Sequence, residues 1–306
     1  MSATSLGTPP LLSVKECLSS FGRPGIVFVD GSWHMSDRDE RAEYEKGPRI
    51  AGARFFHIDD ISSRGSAVNP KDLPHMMPSA SLFAAAMDAM NVSSGDHVII
   101  YGTEGCMATS RAYYTFKAMG HPEGLVHLMQ GSLKEWQERG GKVDTDPVKA
   151  IKAADLDVGG ETKYDTARRA SNIYAMEEVL EAATADDSDT IIIDARSAAR
   201  FNAEAPEPRP GLRMGHIPGS LNVPFNDLLE SGNVTKFKPV DELRTVFNNY
   251  GVDVDTDKKI VCSCGSGVTA CVLANALEVC GRDPSQTYVY DGSWAEWGGE
   301  EDTPIA

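Results

Sequence analysis

Cys264 and the two glycines that follow it form the part of this sequence best suited to carry out chemistry. The apolar run 260–262 before the cysteine predicts a buried strand, and the alanine-rich run 270–277 after it predicts a helix. The glycines allow the intervening loop to adopt backbone conformations that are closed to other residues. The loop N–H groups and the helix N-terminus can then converge on the sulfur. The pattern therefore predicts an anion-binding loop around a reactive thiolate.

The energy needed to ionise Cys264 is within reach of such a loop. An unperturbed thiol has a pKa of about 8.5, so only a few per cent of it is ionised near neutrality. Lowering this pKa by about two units takes about 2.7 kcal/mol. One or two charge-assisted hydrogen bonds supply about 1.5–3 kcal/mol each, and the helix dipole adds about 0.3–1 kcal/mol. No neighbouring lysine or arginine is required.

Two other interpretations of this cysteine-rich segment stay open. Free cysteines are often buried, so Cys264 could be a structural residue that closes a strand. Alternatively, Cys262, Cys264, Cys271 and Cys280 could bind zinc, although the spacing Cys-x-Cys-x6-Cys-x8-Cys lacks the short pairs of usual zinc sites.

The loop Cys264-Gly265-Ser266-Gly267-Val268-Thr269-Ala270 resembles the active-site loop of the rhodanese superfamily, and more narrowly that of its 3-mercaptopyruvate sulfurtransferases. The segment 289–297, Val-Tyr-Asp-Gly-Ser-Trp-Ala-Glu-Trp, is similar to the C-terminal pattern of the same family. Thiosulfate-specific members carry cationic residues where this chain has Gly265 and Ser266. The resemblance implies that Cys264 is the nucleophile. It also implies that the substrate's sulfur is held by Gly265, Gly267, Val268 and Thr269.

Two arginines could bind the carboxylate of such a substrate. Arg200 and Arg209 lie in a polar, proline-containing segment that follows the predicted strand 191–193. A guanidinium group binds a carboxylate through two parallel hydrogen bonds. The segment resembles the family's substrate-binding loop, which implies that both arginines bind 3-mercaptopyruvate. We expect Arg196 and Arg213 to form structural ion pairs or to lie on the surface.

The first half of the chain contributes two further candidates, Asp59 and His75. The segments 55–59 and 73–78 resemble family blocks whose acid and histidine are proposed to form a proton-handling triad with the loop serine, here Ser266. A histidine titrates near neutrality and an aspartate can orient it. Sulfur transfer leaves the enolate of pyruvate, which must acquire a proton. The alternative is a capping or ion-pairing Asp59 and a structural His75.

These residues must be positioned by a repeated fold. Asp194 follows an apolar triplet 164 residues (194 − 30) after Asp30, and Trp297 lies 161 residues (297 − 136) after Trp136. A single period that spans half the chain indicates a duplicated domain. Short apolar strands alternate with helical stretches in each half, although the first, Leu11–Leu18, is predicted as a helix without a preceding strand. The pattern predicts α/β domains with largely parallel sheets.

The resemblance implies two tandem rhodanese-like domains, each a mainly parallel sheet flanked by helices. We predict a non-catalytic N-terminal domain over 8–148, a linker over 149–160 and a catalytic domain over 161–306. Thr103 stands opposite Cys264 in the repeat (264 − 161), so the first half has no cysteine at the reactive position. Cys106 as a second nucleophile is the alternative.

Composition narrows the range of partners and compartments. The 306 residues carry a formal charge of −16, which argues against nucleic-acid binding because phosphate contacts need basic patches. Six unevenly spaced cysteines suggest a reducing compartment. No apolar run approaches the ~20 residues of a membrane span, and the N-terminus lacks a signal-peptide core. We expect a cytoplasmic protein, with the mitochondrion as the alternative.

The predicted activity is transfer of sulfur from 3-mercaptopyruvate to a thiol acceptor through a persulfide on Cys264, with release of pyruvate. The expected acceptor is thioredoxin or a small thiol, and no cofactor, metal, nucleic acid or membrane is expected. The alternatives are a thiosulfate sulfurtransferase and a non-catalytic sulfur-relay or redox-sensing module. A related phosphatase loop would need Cys-x5-Arg, whereas Ala270 stands at that arginine position.

Overall fold

The computed structural model describes residues 7, 9–35, 38–166, 172–185 and 188–306. These residues form two compact units. Unit 1 contains the described residues within 1–61, 78–168 and 233–236, and unit 2 contains those within 62–77, 169–232 and 237–306. The segment 62–77 therefore comes from the first half of the sequence but packs within unit 2.

The strands and helices alternate along much of the chain. The strands are β1 Leu11–Ser13, β2 Ile26–Asp30, β3 Arg49–Ile50, β4 Arg54–Phe55, β5 His97–Gly102, β6 Val126–Ser132, β7 Val143–Asp144, β8 Ile173–Tyr174, β9 Thr190–Asp194, β10 Leu221–Asn222, β11 Leu229–Glu230, β12 Asn233–Phe237, β13 Lys259–Ser263 and β14 Thr287–Tyr290. The helices are α1 Val14–Ser20, α2 Glu40–Lys46, α3 Ala80–Ala89, α4 Thr109–Ala118, α5 Leu133–Glu138, α6 Met176–Thr184, α7 Ala198–Phe201, α8 Val240–Asn249, α9 Ala270–Val279 and α10 Ser293–Trp297. Short 3-10 helices lie at Ala153–Asp155, Phe225–Leu228 and Pro284–Gln286.

The main sheets of the two units have the same topology. In unit 1 the strand order is β1-β6-β5-β2-β4, and in unit 2 it is β8-β14-β13-β9-β10. The pairs within both sheets are parallel. Helices pack on these sheets, among them α4 against β5 and β6 and α9 against β13 and β14. The prediction of a duplicated α/β domain with a largely parallel sheet is confirmed.

The strand ends show how closely the two units correspond. Asp30 ends β2 and Asp194 ends β9, and each carboxylate accepts the backbone N–H of the residue two positions later. Thr103 directly follows the central strand β5, just as Cys264 directly follows the central strand β13. The two sheets therefore present different residues, a hydroxyl and a thiol, at equivalent positions.

Each unit has an aromatic core. In unit 1 the ring of Trp136 packs 5.3 Å from that of Phe28 and 5.5 Å from that of Phe21. In unit 2 the buried Trp294 and Trp297 lie in one apolar cluster with strand residues of the sheet. Large aromatic side chains contribute much of the free energy of burial in such cores. These three tryptophans are therefore core residues.

The N-terminal segment differs from the prediction. Leu11–Ser13 form β1, which pairs with β6, and the helix α1 begins only at Val14. Ser13 and Glu16 form a capping box, in which the Glu16 N–H donates to Ser13 Oγ and the Ser13 N–H donates to the Glu16 carboxylate. This reciprocal cap fixes the helix start at this point. Among the described residues, no helix combines the length and apolar character needed to cross a bilayer.

Candidate active site

Cys264 lies at the carboxyl end of the central strand of unit 2. β13 runs between β9 and β14, and Cys262 pairs with Ile193 on one side and Val289 on the other. The loop from Cys264 to Thr269 then leads into α9. Ligands in open α/β sheets bind at the carboxyl ends of strands, so this position suits a nucleophile.

The residues around the start of α10 fix this loop from behind. The backbone N–H of Trp294 donates to the Cys264 carbonyl, and that of Ala295 donates to the Gly265 carbonyl, both at 2.9 Å. The Cys264 N–H donates to Ser293 Oγ at 3.2 Å. Ser293 holds a left-handed backbone with φ of +50°. The second sequence motif, 289–297, therefore serves to hold the first.

The two loop glycines have different roles. Gly267 has a φ of +77°, a left-handed conformation that favours glycine. Gly265 does not adopt that region, so the prediction that it serves backbone bending is wrong. A Cβ on Gly265 would instead lie 2.9 Å from Arg200 Nη2. Gly265 is therefore needed because a guanidinium group packs against its Cα. The Ser266 N–H points at Cys264 Sγ, with 3.5 Å between the two heavy atoms.

Several of the predicted site residues converge on this loop within unit 2. Arg200 ends near Gly265, and Arg209 Nη1 lies 3.8 Å from the position of a Gly265 Cβ. Arg209 Nη2 also contacts His75 Nε2 and Ser266 Oγ, each at 3.3 Å. The structure thus places an imidazole, a hydroxyl and two guanidinium groups around the loop that carries Cys264.

His75 reaches unit 2 through the segment 62–77. The Met77 N–H donates to the Asp291 carboxylate at 2.7 Å, just after β14. Lys71 forms ion pairs with two acids that follow or belong to α10, Glu296 and Glu300. His75 itself is buried and has a φ of +59°. A non-glycine residue in this region costs about 1–3 kcal/mol, and such strain clusters at functional sites.

Asp59 belongs to unit 1, where its Oδ2 accepts a hydrogen bond from Trp33 Nε1 at 2.8 Å. It is half-buried. Its membership of a triad with His75 and Ser266 stays a prediction.

A buried ion-pair network of Asp194, Arg196, Glu207 and Arg200 lies in the same unit. Arg196 donates to Asp194 and, through Nη1, to Glu207 Oε1 at 2.8 Å, and its guanidinium lies 4.2 Å from the Trp294 ring centroid. Burial acts to lower the pKa of Arg196, but its two acidic neighbours outweigh this and raise it. Arg196 is structural, as expected. One acidic partner of Arg196 could have been found in the sequence, because Glu207 lies between two prolines in the same arginine-rich segment.

The other cysteines show features of structural thiols. Cys106 is fully buried, its Sγ accepts the Trp33 N–H, and burial raises its pKa to about 11. Burial likewise raises the pKa of Cys262 and takes that of Cys280 to about 11. These properties argue against Cys106 as a second nucleophile. In the described part of the chain, no three or more His, Cys, Asp or Glu side chains are grouped to hold a metal ion.

Comparison with known proteins places this geometry in a family. The rhodanese-like domain model matches residues 13–139 and again 176–300. The 3-mercaptopyruvate sulfurtransferase of Escherichia coli K12 is 38% identical, with 92% of each chain covered. The mitochondrial thiosulfate/3-mercaptopyruvate sulfurtransferase 1 of Arabidopsis thaliana is 34% identical, over 99% of this chain and 80% of the relative.

A solved structure agrees with these sequence matches. The crystal structure of SseA from Escherichia coli, described as a 3-mercaptopyruvate sulfotransferase with the rhodanese fold, superposes with a TM-score of 0.76 and 32% identity. The match covers 94% of this chain and all of that one. The chain belongs to the rhodanese family, in the tandem-domain group that includes the 3-mercaptopyruvate sulfurtransferases.

Proposed function

We propose that this protein is a 3-mercaptopyruvate sulfurtransferase that passes sulfur to a thiol acceptor through a persulfide on Cys264. One observation carries the proposal: the guanidinium groups of Arg200 and Arg209 both approach Gly265, the residue next to Cys264. A carboxylate bound there would bring the rest of a small donor molecule beside the thiol. The names of the Escherichia coli relative and of SseA support the same donor.

In the first half-reaction, the Cys264 thiolate attacks the sulfur of 3-mercaptopyruvate. A new S–S bond forms and the substrate C–S bond breaks, with its electron pair passing to carbon as the enolate of pyruvate. Arg200 and Arg209 bind the carboxylate throughout. The Ser266 N–H, already directed at Cys264 Sγ, stabilises the sulfur, together with Gly265, Gly267, Val268 and Thr269 of the loop.

The enolate must gain one proton to leave as pyruvate. His75 and Ser266 are the candidates to deliver it, since both contact the same guanidinium nitrogen of Arg209. Asp59 is the third proposed member of this proton-handling group. Positioned acids and bases of this kind contribute typically about 10²–10⁴-fold in rate.

In the second half-reaction, an acceptor thiolate attacks the outer sulfur of the Cys264 persulfide. The S–S bond breaks, the Cys264 thiolate is regenerated, and the acceptor carries the sulfur away. We propose thioredoxin or a small thiol as the acceptor. Two separate half-reactions predict ping-pong kinetics.

The chain's two halves are proposed to have separate tasks. The N-terminal domain, 8–148, is non-catalytic in that it lacks the nucleophile, although it supplies Asp59 and His75. The C-terminal domain, 161–306, carries Cys264, and 149–160 is the linker. The cytoplasm is the proposed compartment and the mitochondrion the alternative, and one relative is named as mitochondrial.

Thiosulfate is the competing sulfur donor, because the name of the Arabidopsis relative includes both donors. A side-by-side assay decides between them. The native protein is incubated with each donor, the turnover rate is measured, and mass spectrometry shows whether the Cys264 peptide has gained sulfur. We expect a gain of one sulfur atom on Cys264 and faster turnover with 3-mercaptopyruvate. A preference for thiosulfate, or no sulfur on Cys264 with either donor, contradicts the proposal.

A further inference from the structure

Glu207 forms ion pairs with both Arg196 and Arg200, which follow β9. Its carboxylate is almost fully buried, with a side-chain exposure of 2%. Oε1 accepts from Arg196 Nη1 at 2.8 Å and from Arg200 Nε at 3.2 Å, and Oε2 accepts from Arg200 Nη2 at 2.5 Å. Glu207 therefore binds Arg200 through two nitrogens of the same guanidinium group.

This bidentate ion pair determines which nitrogen atoms of Arg200 remain available to bind a substrate. A guanidinium can bind a carboxylate through its side edge, Nε with one terminal nitrogen, or through its end, the two terminal nitrogens. Glu207 occupies the side edge. The terminal nitrogen Nη2 meanwhile lies 2.9 Å from the position of a Cβ on Gly265. Nη2, which belongs both to the occupied side edge and to the end, is therefore the Arg200 nitrogen that lies near the Cys264 loop.

Glu207 is itself held in place by a rigid anchor. Arg196 binds the carboxylate of Asp194 through Nε and Nη2, donates to the Gly215 carbonyl at 2.9 Å, and stacks on Trp294. Trp294 in turn donates its backbone N–H to the Cys264 carbonyl. The chain of contacts thus runs from the end of β9 to the reactive loop, and Glu207 is the link between its fixed part and Arg200.

The network also balances charge. Asp194 and Glu207 carry two negative charges, and Arg196 and Arg200 carry two positive ones. Removing the charge of Glu207 would leave this buried group with one additional positive charge beside the loop. At short range in a partly buried site, this added positive charge attracts each negative charge of a ligand more strongly than it would in water. A donor with two negative charges would gain more than a donor with one.

We propose that Glu207 is a positioning residue that also selects the sulfur donor. It holds Nη2 of Arg200 beside the Cys264 loop, and by cancelling one positive charge it favours singly charged donors such as 3-mercaptopyruvate over dianions such as thiosulfate. This inference rests on the proposed function and deepens it.

The test separates charge from geometry with two variants of the same residue. Glu207→Gln keeps the size of the side chain and removes its charge, whereas Glu207→Asp keeps the charge and shortens the reach. For each, kcat/KM is measured with 3-mercaptopyruvate and with thiosulfate, and thermal melting confirms that the variant is folded. The control is Asp255→Asn, which removes an acid from an exposed ion pair with Arg244 in the same unit.

We expect Glu207→Gln to lower the ratio of the two kcat/KM values, 3-mercaptopyruvate over thiosulfate, by at least about tenfold, or ~1.4 kcal/mol. Glu207→Asp should lower both values and leave their ratio within about twofold of native, and Asp255→Asn should change neither. An equal loss with both donors in Glu207→Gln would overturn the inference while leaving the proposed function intact. Absence of sulfur transfer from 3-mercaptopyruvate to Cys264 in the native protein would overturn both.

A measurement on the native protein covers the case in which Glu207→Gln does not fold. Acetate and sulfate are compared as competitive inhibitors against 3-mercaptopyruvate at matched ionic strength. The singly charged acetate should bind at least as tightly as the dianion sulfate, because the network offers no uncompensated charge. Inhibition by sulfate that is more than about tenfold tighter would overturn the inference.

Discussion

Arg209 and His75, 134 residues apart in the sequence, meet through Nη2 and Nε2 at 3.3 Å within unit 2. Because a guanidinium group only donates, Nε2 of His75 must be the acceptor in this contact. The imidazole proton then sits on Nδ1. A protonated Nε2 could not accept from Arg209, so the protonation of His75 is coupled to the position of a proposed substrate-binding group.

Replacing Arg209 should mainly weaken substrate binding. Arg209→Ala removes a charge-assisted contact worth about 1.5–3 kcal/mol, so we expect the KM for 3-mercaptopyruvate to rise about 10- to 100-fold with a smaller change in kcat. Arg209→Lys should recover only part of the loss, because lysine lacks the planar fork. Steady-state kinetics with the two variants checks this. An unchanged KM in Arg209→Ala would remove Arg209 from the substrate site.

Cys264→Ser should abolish sulfur transfer, since the hydroxyl cannot form a persulfide. The matched control is Cys106→Ser, at a buried thiol in unit 1 whose pKa is raised to about 11. The control protein should still gain one sulfur atom at Cys264 when incubated with 3-mercaptopyruvate. Both proteins are followed by pyruvate release and by mass spectrometry. Pyruvate release at the native rate in Cys264→Ser would rule out Cys264 as the nucleophile.

His75→Gln tests the proposed proton transfer. Loss of a positioned acid or base should lower kcat by about 10²-fold or more, with a smaller effect on KM. His97→Gln is the control, because His97 begins β5 and lies at the amino end of that strand in unit 1. Its kcat should stay within about twofold of native. A native kcat in His75→Gln would show that another group delivers the proton.

Gly265→Ala tests the close approach of Arg200 to the loop. The new methyl group would lie 2.9 Å from Arg200 Nη2, closer than side-chain carbon atoms normally come. Arg200 must move, so we expect the KM for 3-mercaptopyruvate to rise about tenfold while the protein stays folded. Gly95→Ala, where a methyl group meets nothing within 4 Å, should behave as native. Equal kinetics in the two variants would mean that Arg200 does not need its present position.

The buried histidines His121 and His127 of unit 1 should make the free energy of unfolding depend on pH. Burial lowers the pKa values of His121 and His127 below their ordinary value of 6.5. The unfolded chain therefore binds more protons than the folded protein below about pH 6.5, and the free energy of unfolding falls as the pH drops from there. His127→Gln should flatten this decline. Denaturant unfolding between about pH 5 and 7.5 measures it, and parallel native and variant curves would contradict the assignment.

Local sequence patterns were sufficient for some features of this protein and insufficient for others. The end of β13 and the start of α9 followed from a short apolar run and an alanine-rich run, which are local signals. β1 was missed because its residues form a strand only by pairing with β6, far along the chain. Likewise, the local sequence predicts backbone bending at Gly265, since nothing in it reveals that Arg200 packs against the Gly265 Cα.

The sequence by itself determined the duplicated α/β fold and predicted Cys264 as the reactive position, because strand periodicity and the residues next to Cys264 are encoded within short stretches. Only the tertiary structure decided that 62–77 packs in unit 2 and brings His75 to Arg209. It also decided that Glu207 fixes the edge of Arg200. These relationships depend on hydrogen bonds and ion pairs between residues that the chain brings together only after its sheets and loops have packed.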